Sequence, residues 1–275
     1  MKEILQKSLQ GLSSPSEKYN ALREGLQHLL LKILDDMGYF KDLSFVGGTA
    51  LRIIYDLRRF SEDMDFSLQR PRDSHFDFRK MLESIIRQLE IYGLPVDTKV
   101  KEAGAVQGVF LRFKGILQEF KISRREGEKL AIKLEVDTNP PLGARHESRI
   151  LQKEFLLTVI HHDLPTLFAG KLLAFLYRAY TKGRDVYDLI WYLSRKTRVN
   201  RTFFENGLFQ STGEKLSWSQ KQLIETVTAK VEALDMEVAR KDVFPFLDDP
   251  TEVRLFDKIL IQGLIKNIAF DSDSY

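Results

Sequence analysis

The sequence contains no cysteine among its 275 residues. A disulfide framework, a thiolate nucleophile, cysteine-ligated zinc and an iron–sulfur cluster are therefore all excluded, and a reducing compartment such as the cytoplasm is expected. No apolar run reaches the roughly 18 residues that a membrane helix needs. The N-terminal stretch also lacks the apolar core of a signal peptide. We expect a protein that neither spans a membrane nor is secreted.

An excess of charge of one sign is also missing, since 42 Lys and Arg face 39 Asp and Glu, for a net charge of +3. A balance this even does not by itself indicate a nucleic-acid-binding protein. The apolar fraction of 43% and the charged fraction of 29% are typical of an ordinary globular chain. Function has to be sought in local motifs.

The hydrophobic period changes along the chain and predicts an α+β fold. Apolar residues recur at three and four residues over 16–37, which predicts an amphipathic helix. The next part predicts short strands and one helix, and the last part predicts further helices: strands 43–46, 64–68, 109–113 and 130–136; helices 78–92, 165–180, 184–193, 218–239 and 252–268. We expect a mixed sheet with flanking helices over 1–160 and a helical C-terminal domain over 161–275 that completes the active site.

A Gly-Gly-Thr turn follows the first predicted strand. Gly47 and Gly48 lack Cβ atoms, so an anion could approach their backbone N–H groups closely. Thr49 stands at the expected N-cap of a helix over 50–57, whose positive end would favour a phosphate. The simpler interpretation is a tight strand-to-helix turn with Thr49 as an ordinary cap.

Two aspartates alternate with apolar residues directly after this helix. Asp63 and Asp65 fall on one face of the predicted strand, and Met64, Phe66 and Leu68 fall on the other. Neighbouring carboxylates repel unless a cation such as Mg²⁺ lies between them. An isolated pair of this kind is common on exposed surfaces, but beside a phosphate-binding turn it predicts a metal–nucleotide site.

A third carboxylate is offered by the strand 130–136, whose apolar residues share one face. Glu135 lies on the opposite face and is the expected third metal ligand or general base. The alternative is a half-exposed strand whose Lys133 and Glu135 simply face water. Asp137 could serve only to start the following turn.

Lys171 lies on a largely apolar helix and could place its charge on triphosphate oxygens, or it could merely extend to solvent. Asp185 and Asp188 fit the N-cap and N3 positions of the next helix, which accounts for both structurally. Arg184 and Asp185 could instead orient Lys171 or a substrate.

Three ordered blocks carry a resemblance to a known family. VGGTALRIIYDLRRFSEDMDFSL (46–68), IKLEVD (132–137) and GKLLAFLYRAYTKGRDVYDL (170–189) resemble the AbiEii/AbiGii toxins of the DNA polymerase β-like nucleotidyltransferase superfamily. The resemblance implies a minimal nucleotidyltransferase fold and Mg²⁺- or Mn²⁺-dependent transfer of a nucleotide from a nucleoside triphosphate. It further implies a tRNA 3′ end as acceptor and a cognate antitoxin as partner.

The resemblance also assigns roles to individual residues. The residues expected at the nucleotide are Gly47, Gly48, Thr49, Ser61 and Lys171; those expected at the metal are Asp63, Asp65 and Glu135; those expected in catalysis are Asp63, Asp65, Glu135, Lys171 and Asp185. Where the wider superfamily has Gly-Ser, this chain has Gly-Gly-Thr, so Thr49 retains the hydroxyl group.

Two other functions remain open at this point. A haloacid-dehalogenase-like phosphatase also uses two aspartates in this spacing, but it places them after a hydrophobic strand, whereas the residues before Asp63 are polar. A catalytically silent nucleotide- or partner-binding module of the same fold would keep the architecture without the transfer reaction.

Overall fold

The structure is a computed structural model that describes residues 1–71, 75–125, 127–180 and 182–271, without the side chains of residues 102 and 103. The chain forms two compact units. The first comprises Met1–Ala50, Glu62–Asn139 and Glu147–His161, and the second comprises Leu51–Ser61, Pro140–His146 and the chain from His162 onward. The domain boundary expected at residue 160 stays a prediction, because compactness does not show that either part folds alone.

Within the described residues, the sheet has seven strands in the order β3-β4-β5-β2-β1-β7-β6. Their bounds are β1 Leu43–Val46, β2 Met64–Leu68, β3 Val96–Ala103, β4 Val106–Phe113, β5 Leu130–Asp137, β6 His146–Gln152 and β7 Leu156–His162. The β2–β5 and β1–β7 pairs are parallel, while the β1–β2, β3–β4 and β4–β5 pairs are antiparallel. The expected mixed sheet is thus confirmed.

Helices flank this sheet and form most of the second unit. The α-helices are α1 Lys2–Lys7, α2 Pro15–Asp36, α3 Gly47–Tyr55, α4 Phe78–Ile91, α5 Ile116–Glu119, α6 Leu164–Tyr177, α7 Gly183–Ser194, α8 Arg201–Thr212, α9 Gln220–Ala233, α10 Met236–Val243 and α11 Lys258–Ile265. Short 3₁₀ turns cover Tyr39–Lys41, Phe244–Phe246 and Pro250–Leu255. None of the helices in the described part of the chain has the length and apolarity needed to cross a membrane.

Local chemistry explains the best-predicted elements. Ser14 and Glu17 form a reciprocal capping box that starts α2, and Pro15 occupies the first helical position. The apolar face of α2 is buried and packs against β5 and α4. In β5, the four apolar side chains from Leu130 to Val136 are fully buried and alternate with partly exposed polar ones. This alternation leaves the polar side chains of β5 partly exposed, so that they can contact a ligand.

Two predicted helices are wrong in extent. The helix expected over 218–239 is divided into α9 and α10, because Asp235 caps a new helix by accepting hydrogen bonds from two backbone N–H groups. The helix expected over 252–268 is a 3₁₀ turn followed by α11, which Asp257 caps. The sequence pattern did not predict α1, β3, α5, β6, β7 or α8. Almost every residue of β6 is exposed, so β6 lacks the alternation by which strands are recognised.

Candidate active site

The turn between β1 and α3 is built around Gly47. Its φ of +77° lies in the left-handed region, and a Cβ at this position would collide with the carboxylate of Asp65. The helix begins at Gly47 itself and includes Gly48, so Thr49 lies inside the first turn. The expectation that Thr49 is the N-cap is therefore wrong. The close approach of Asp65 instead requires the glycine.

Thr49 connects this turn to the aspartate pair. Its side chain is fully buried, and its hydroxyl donates a hydrogen bond to the backbone carbonyl of Asp63. The start of α3 is thereby fixed against the start of β2. The hydroxyl that the resemblance assigned to the nucleotide has a structural partner in this state.

The aspartate pair lies as the alternation predicted. Asp63 immediately precedes β2 and Asp65 lies within it, both partly buried, whereas Met64 and Phe66 are fully or almost fully buried. Asp65 pairs with Val46 in the β1–β2 ladder, next to Gly47. The carboxylates thus face the polar side of the sheet beside the glycine turn.

The third carboxylate lies directly beside this pair. The parallel β2–β5 ladder places Asp65 opposite Glu135, and paired residues of neighbouring strands lie about 5 Å apart on the same face. On its other side, Glu135 is opposite Gly108 of β4, where a Cβ would come within 3.3 Å of Glu135 Cγ. The glycine leaves room for the glutamate side chain.

A lysine shares this face. Lys133 Nζ lies 2.7 Å from Glu135 Oε2. Partial burial works against the charged ammonium, but the hydrogen bond and charge of Glu135 and the charges of Asp63 and Asp65 outweigh it and raise the pKa of Lys133. The sequence analysis treated Lys133 only as a water-facing neighbour. Its position two residues from Glu135 on one strand face was the signal for this pair.

The three carboxylates are chemically suitable ligands for a divalent metal ion. Asp63, Asp65 and Glu135 supply the hard oxygen ligands that Mg²⁺ and Mn²⁺ take. Over the described part of the chain, however, no three His, Asp or Glu side chains are grouped as a metal-binding cluster. Glu135 Oε2 pairs with Lys133, so a metal ion that took this oxygen would have to displace the ammonium. Asp137 accepts a hydrogen bond from Asn139 N–H, 2.9 Å away, and so starts the following turn.

The second unit contains its own charged cluster, centred on Lys171 of α6. Lys171 Nζ lies 3.0 Å from Asp185 Oδ1 and 2.8 Å from Asp188 Oδ2, both on α7. Burial disfavours the ammonium charge, but the two aspartates hold the pKa of Lys171 above its ordinary value. Asp185 is thus an ion-pair partner of Lys171, and its role in orienting Lys171 or a substrate stays a prediction.

The purely structural interpretation of the two aspartates is wrong in detail. Lys182 is the N-cap of α7, Asp185 lies in the first turn without being the cap, and Asp188 lies nearly one turn further along. Arg184 lies with its guanidinium 4.1 Å from the ring centroid of Phe246. Its predicted orienting role stays a prediction.

Two arginines complete the cluster in the second unit, and the sequence analysis missed both. Arg59 Nε and Nη2 donate to the two carboxylate oxygens of Asp188 at 2.7 Å each, and both side chains are buried. Arg178 donates to Asp185. Burial would raise the pKa of Asp188, but Arg59 and Lys171 lower it. Arg59 gave no sequence signal, because its partner is 129 residues away.

The structure therefore brings Gly47, Thr49, Asp63, Asp65 and Glu135 together in the first unit. It brings Lys171, Asp185 and Asp188 together in the second. Ser61 is half-buried in the loop before β2, and its contact with a nucleotide stays a prediction.

Comparison with solved structures supports the fold. A crystal structure from H. pylori, provisionally described as a nucleotidyltransferase, aligns with a TM-score of 0.52 and 19% identity over 89% of this chain and 93% of that one. JHP933 from Helicobacter pylori aligns with a TM-score of 0.47 and 19% identity over 89% and 94% of the two chains. The first of these likenesses supports the fold alone. No curated protein sequence matches the chain.

A family model described as the nucleotidyltransferase AbiEii toxin of type IV toxin–antitoxin systems matches residues 28–262. This span contains both charged clusters and all seven strands. The chain belongs to the AbiEii family of nucleotidyltransferase toxins.

Proposed function

We propose that this nucleotidyltransferase transfers a nucleoside monophosphate from a nucleoside triphosphate to a hydroxyl group of RNA, at the 3′ end of tRNA. Mg²⁺ or Mn²⁺ would be held by Asp63, Asp65 and Glu135. The observation that carries the proposal is the ladder pairing of Asp65 with Glu135 beside the Gly47 turn. Family membership implies an antitoxin partner and a nucleotide substrate, and the RNA acceptor and the cytoplasmic location are part of the proposal.

The reaction forms one phosphorus–oxygen bond and breaks another. The acceptor hydroxyl oxygen bonds to the α-phosphorus, the bond from the α-phosphorus to the bridging oxygen breaks, and pyrophosphate leaves. Glu135 accepts the proton of the acceptor hydroxyl. When bound, the divalent ion supplies positive charge at the phosphate oxygens.

The remaining residues bind and orient the substrate. Backbone N–H groups at the start of α3, at Gly47 and Gly48, are suited to phosphate oxygens. Ser61 adds a hydroxyl group at the nucleotide, and the buried Thr49 fixes the turn through its hydrogen bond to the Asp63 carbonyl. Lys171, oriented by Asp185, neutralises charge that develops on the leaving pyrophosphate.

The test is incubation with each of four α-labelled nucleoside triphosphates and total RNA. We expect the wild-type protein to label RNA of tRNA size and D65N to lose labelling by about 100-fold or more. D97N is the matched control, since Asp97 is an exposed acid of the same unit that pairs with Lys114 and Lys129.

Each other outcome contradicts the proposal in a distinct way. Labelling that persists in D65N removes Asp65 from the reaction. Release of phosphate without labelling supports the phosphohydrolase, and neither product supports the silent binding module. Label on protein instead of RNA would contradict the proposal that RNA is the acceptor.

A further inference from the structure

We propose that Lys133 is an internal counter-ion of the carboxylate face: it neutralises Glu135, Asp63 and Asp65 in the metal-free protein and releases Glu135 when a divalent ion binds. This inference rests on the proposed function, because it concerns the same metal site. It adds that the metal ion must compete with a side chain of the enzyme itself.

The geometry of β5 carries the inference. Lys133 and Glu135 are two residues apart on the polar face of one strand, and their charged groups are 2.7 Å apart. The β2–β5 ladder places Asp65 directly beside Glu135, and residue 63 is two positions earlier on the same face. Three carboxylates and one ammonium therefore share a small area. The ammonium offsets part of the repulsion among the carboxylates.

The lysine is held in this position from its other side. Phe110 of β4 is opposite Lys133 in the β4–β5 ladder, and the ammonium lies 5.8 Å from the centroid of its ring. The side chains of Lys133 and Glu135 are 28% and 26% exposed. At this burial the pair is screened less by water and salt than a surface ion pair. The pair is thus positioned by a third element and is more than a chance surface contact.

Competition for Glu135 follows from charge and coordination. Glu135 Oε2 pairs with the Lys133 ammonium at 2.7 Å, so this oxygen is less available to a metal ion. A divalent ion brings two positive charges to the three acids and can replace the single charge of the lysine. Metal binding without nucleotide is therefore weakened by Lys133.

The direct test is titration of the purified full-length protein with Mn²⁺, with free Mn²⁺ measured by electron paramagnetic resonance. We expect K133M to bind Mn²⁺ about tenfold more tightly than wild type, and K133R, which keeps the charge, to remain near wild type. K129M is the matched control: Lys129 pairs with Asp97 just before β5, so its loss removes the same charge but leaves the carboxylate face intact. Equal affinity of wild type and K133M would overturn the inference.

A second measurement needs no variant and covers the case in which K133M does not fold. Amine acylation of the wild-type protein, followed by mass spectrometry, reports how freely each lysine reacts. We expect Mn²⁺ to increase acylation of Lys133 severalfold and to leave Lys129 unchanged. No change at Lys133 under saturating Mn²⁺ would overturn the inference.

The two proposals fail in different ways. If Mn²⁺ binds and D65N abolishes binding, but Lys133 has no effect in either measurement, the metal site stands and the counter-ion is wrong. If Mn²⁺ binds neither the wild type nor K133M, with or without nucleotide, both the metal site and the counter-ion are wrong.

Discussion

At Gly47, the backbone adopts an angle that side-chain-bearing residues rarely adopt, and it does so where a carboxylate approaches. The φ of +77° and the close contact with Asp65 each independently favour glycine at this position. The sequence indicated that Gly47 and Gly48 leave space for a phosphate. In the structure, the space beside Gly47 is taken by Asp65, so this glycine positions the carboxylate that we propose as a metal ligand.

We predict that G47A both destabilises the protein and abolishes nucleotide transfer. An alanine at this φ costs about 1–2 kcal/mol, and the added Cβ displaces Asp65 as well. G115A is the control, because Gly115 also has a positive φ but nothing lies within 4 Å of its Cβ position. Urea unfolding and the labelling assay measure the two effects. If G47A and G115A lose the same stability and both keep activity, Gly47 does not position Asp65.

The N-caps of the helices show how far the start of a helix is determined by residues close to it in the sequence. Ser14 and Ser219 both form capping boxes with residues three positions later, and such caps depend only on neighbouring sequence. Asn200 is different, because it caps α8 and also reaches distant groups. Its Nδ2 donates to Gly143 O at 2.9 Å and to Thr166 Oγ1 at 2.8 Å. One side chain therefore joins the start of α8 to a loop and to α6.

N200A should therefore cost more than removal of an ordinary cap. Loss of the cap costs about 1 kcal/mol. Leaving the buried Thr166 hydroxyl without its hydrogen bond from Asn200 adds about 1–3 kcal/mol, since Thr166 is 0% and Asn200 2% exposed. S219A removes a solvent-exposed cap of the same unit and should cost about 1 kcal/mol alone. Equal changes in the free energy of unfolding by urea would show that the distant hydrogen bonds of Asn200 contribute nothing.

The stability of the whole molecule should depend on pH through the buried ion pairs. Burial would raise the pKa of Asp188, but Arg59 and Lys171 lower it in the folded protein. A carboxyl group of this kind stabilises the fold above its unfolded pKa, near 4. That contribution is lost as the pH falls through the lower, folded value.

We expect the free energy of unfolding to fall steeply below about pH 4 in wild type and less steeply in D188N. The pKa of Asp97 is also lowered, to about 2, by hydrogen bonds from Lys114 and Lys129. Because Asp97 is exposed, its contribution should shrink in 1 M salt, whereas that of buried Asp188 should persist. Urea unfolding from pH 2 to 6 at two salt concentrations measures both. A slope in D188N that matches wild type would exclude Asp188 as a source of acid sensitivity.

The sequence by itself determined the elements whose signals are local. Alternation predicted β2 and the polar face of β5, the helical recurrence of apolar residues predicted α2, and the glycine pair predicted the turn after β1, because each depends on residues a few positions apart. Only the tertiary structure decided that β2 and β5 pair in parallel with Asp65 beside Glu135. It also decided that Lys133 forms an ion pair with Glu135 and that Arg59 forms one with Asp188. The β2–β5 pairing and the Arg59–Asp188 ion pair join segments that are far apart in the sequence. The Lys133–Glu135 ion pair depends on the burial and charge that the folded sheet creates around both side chains.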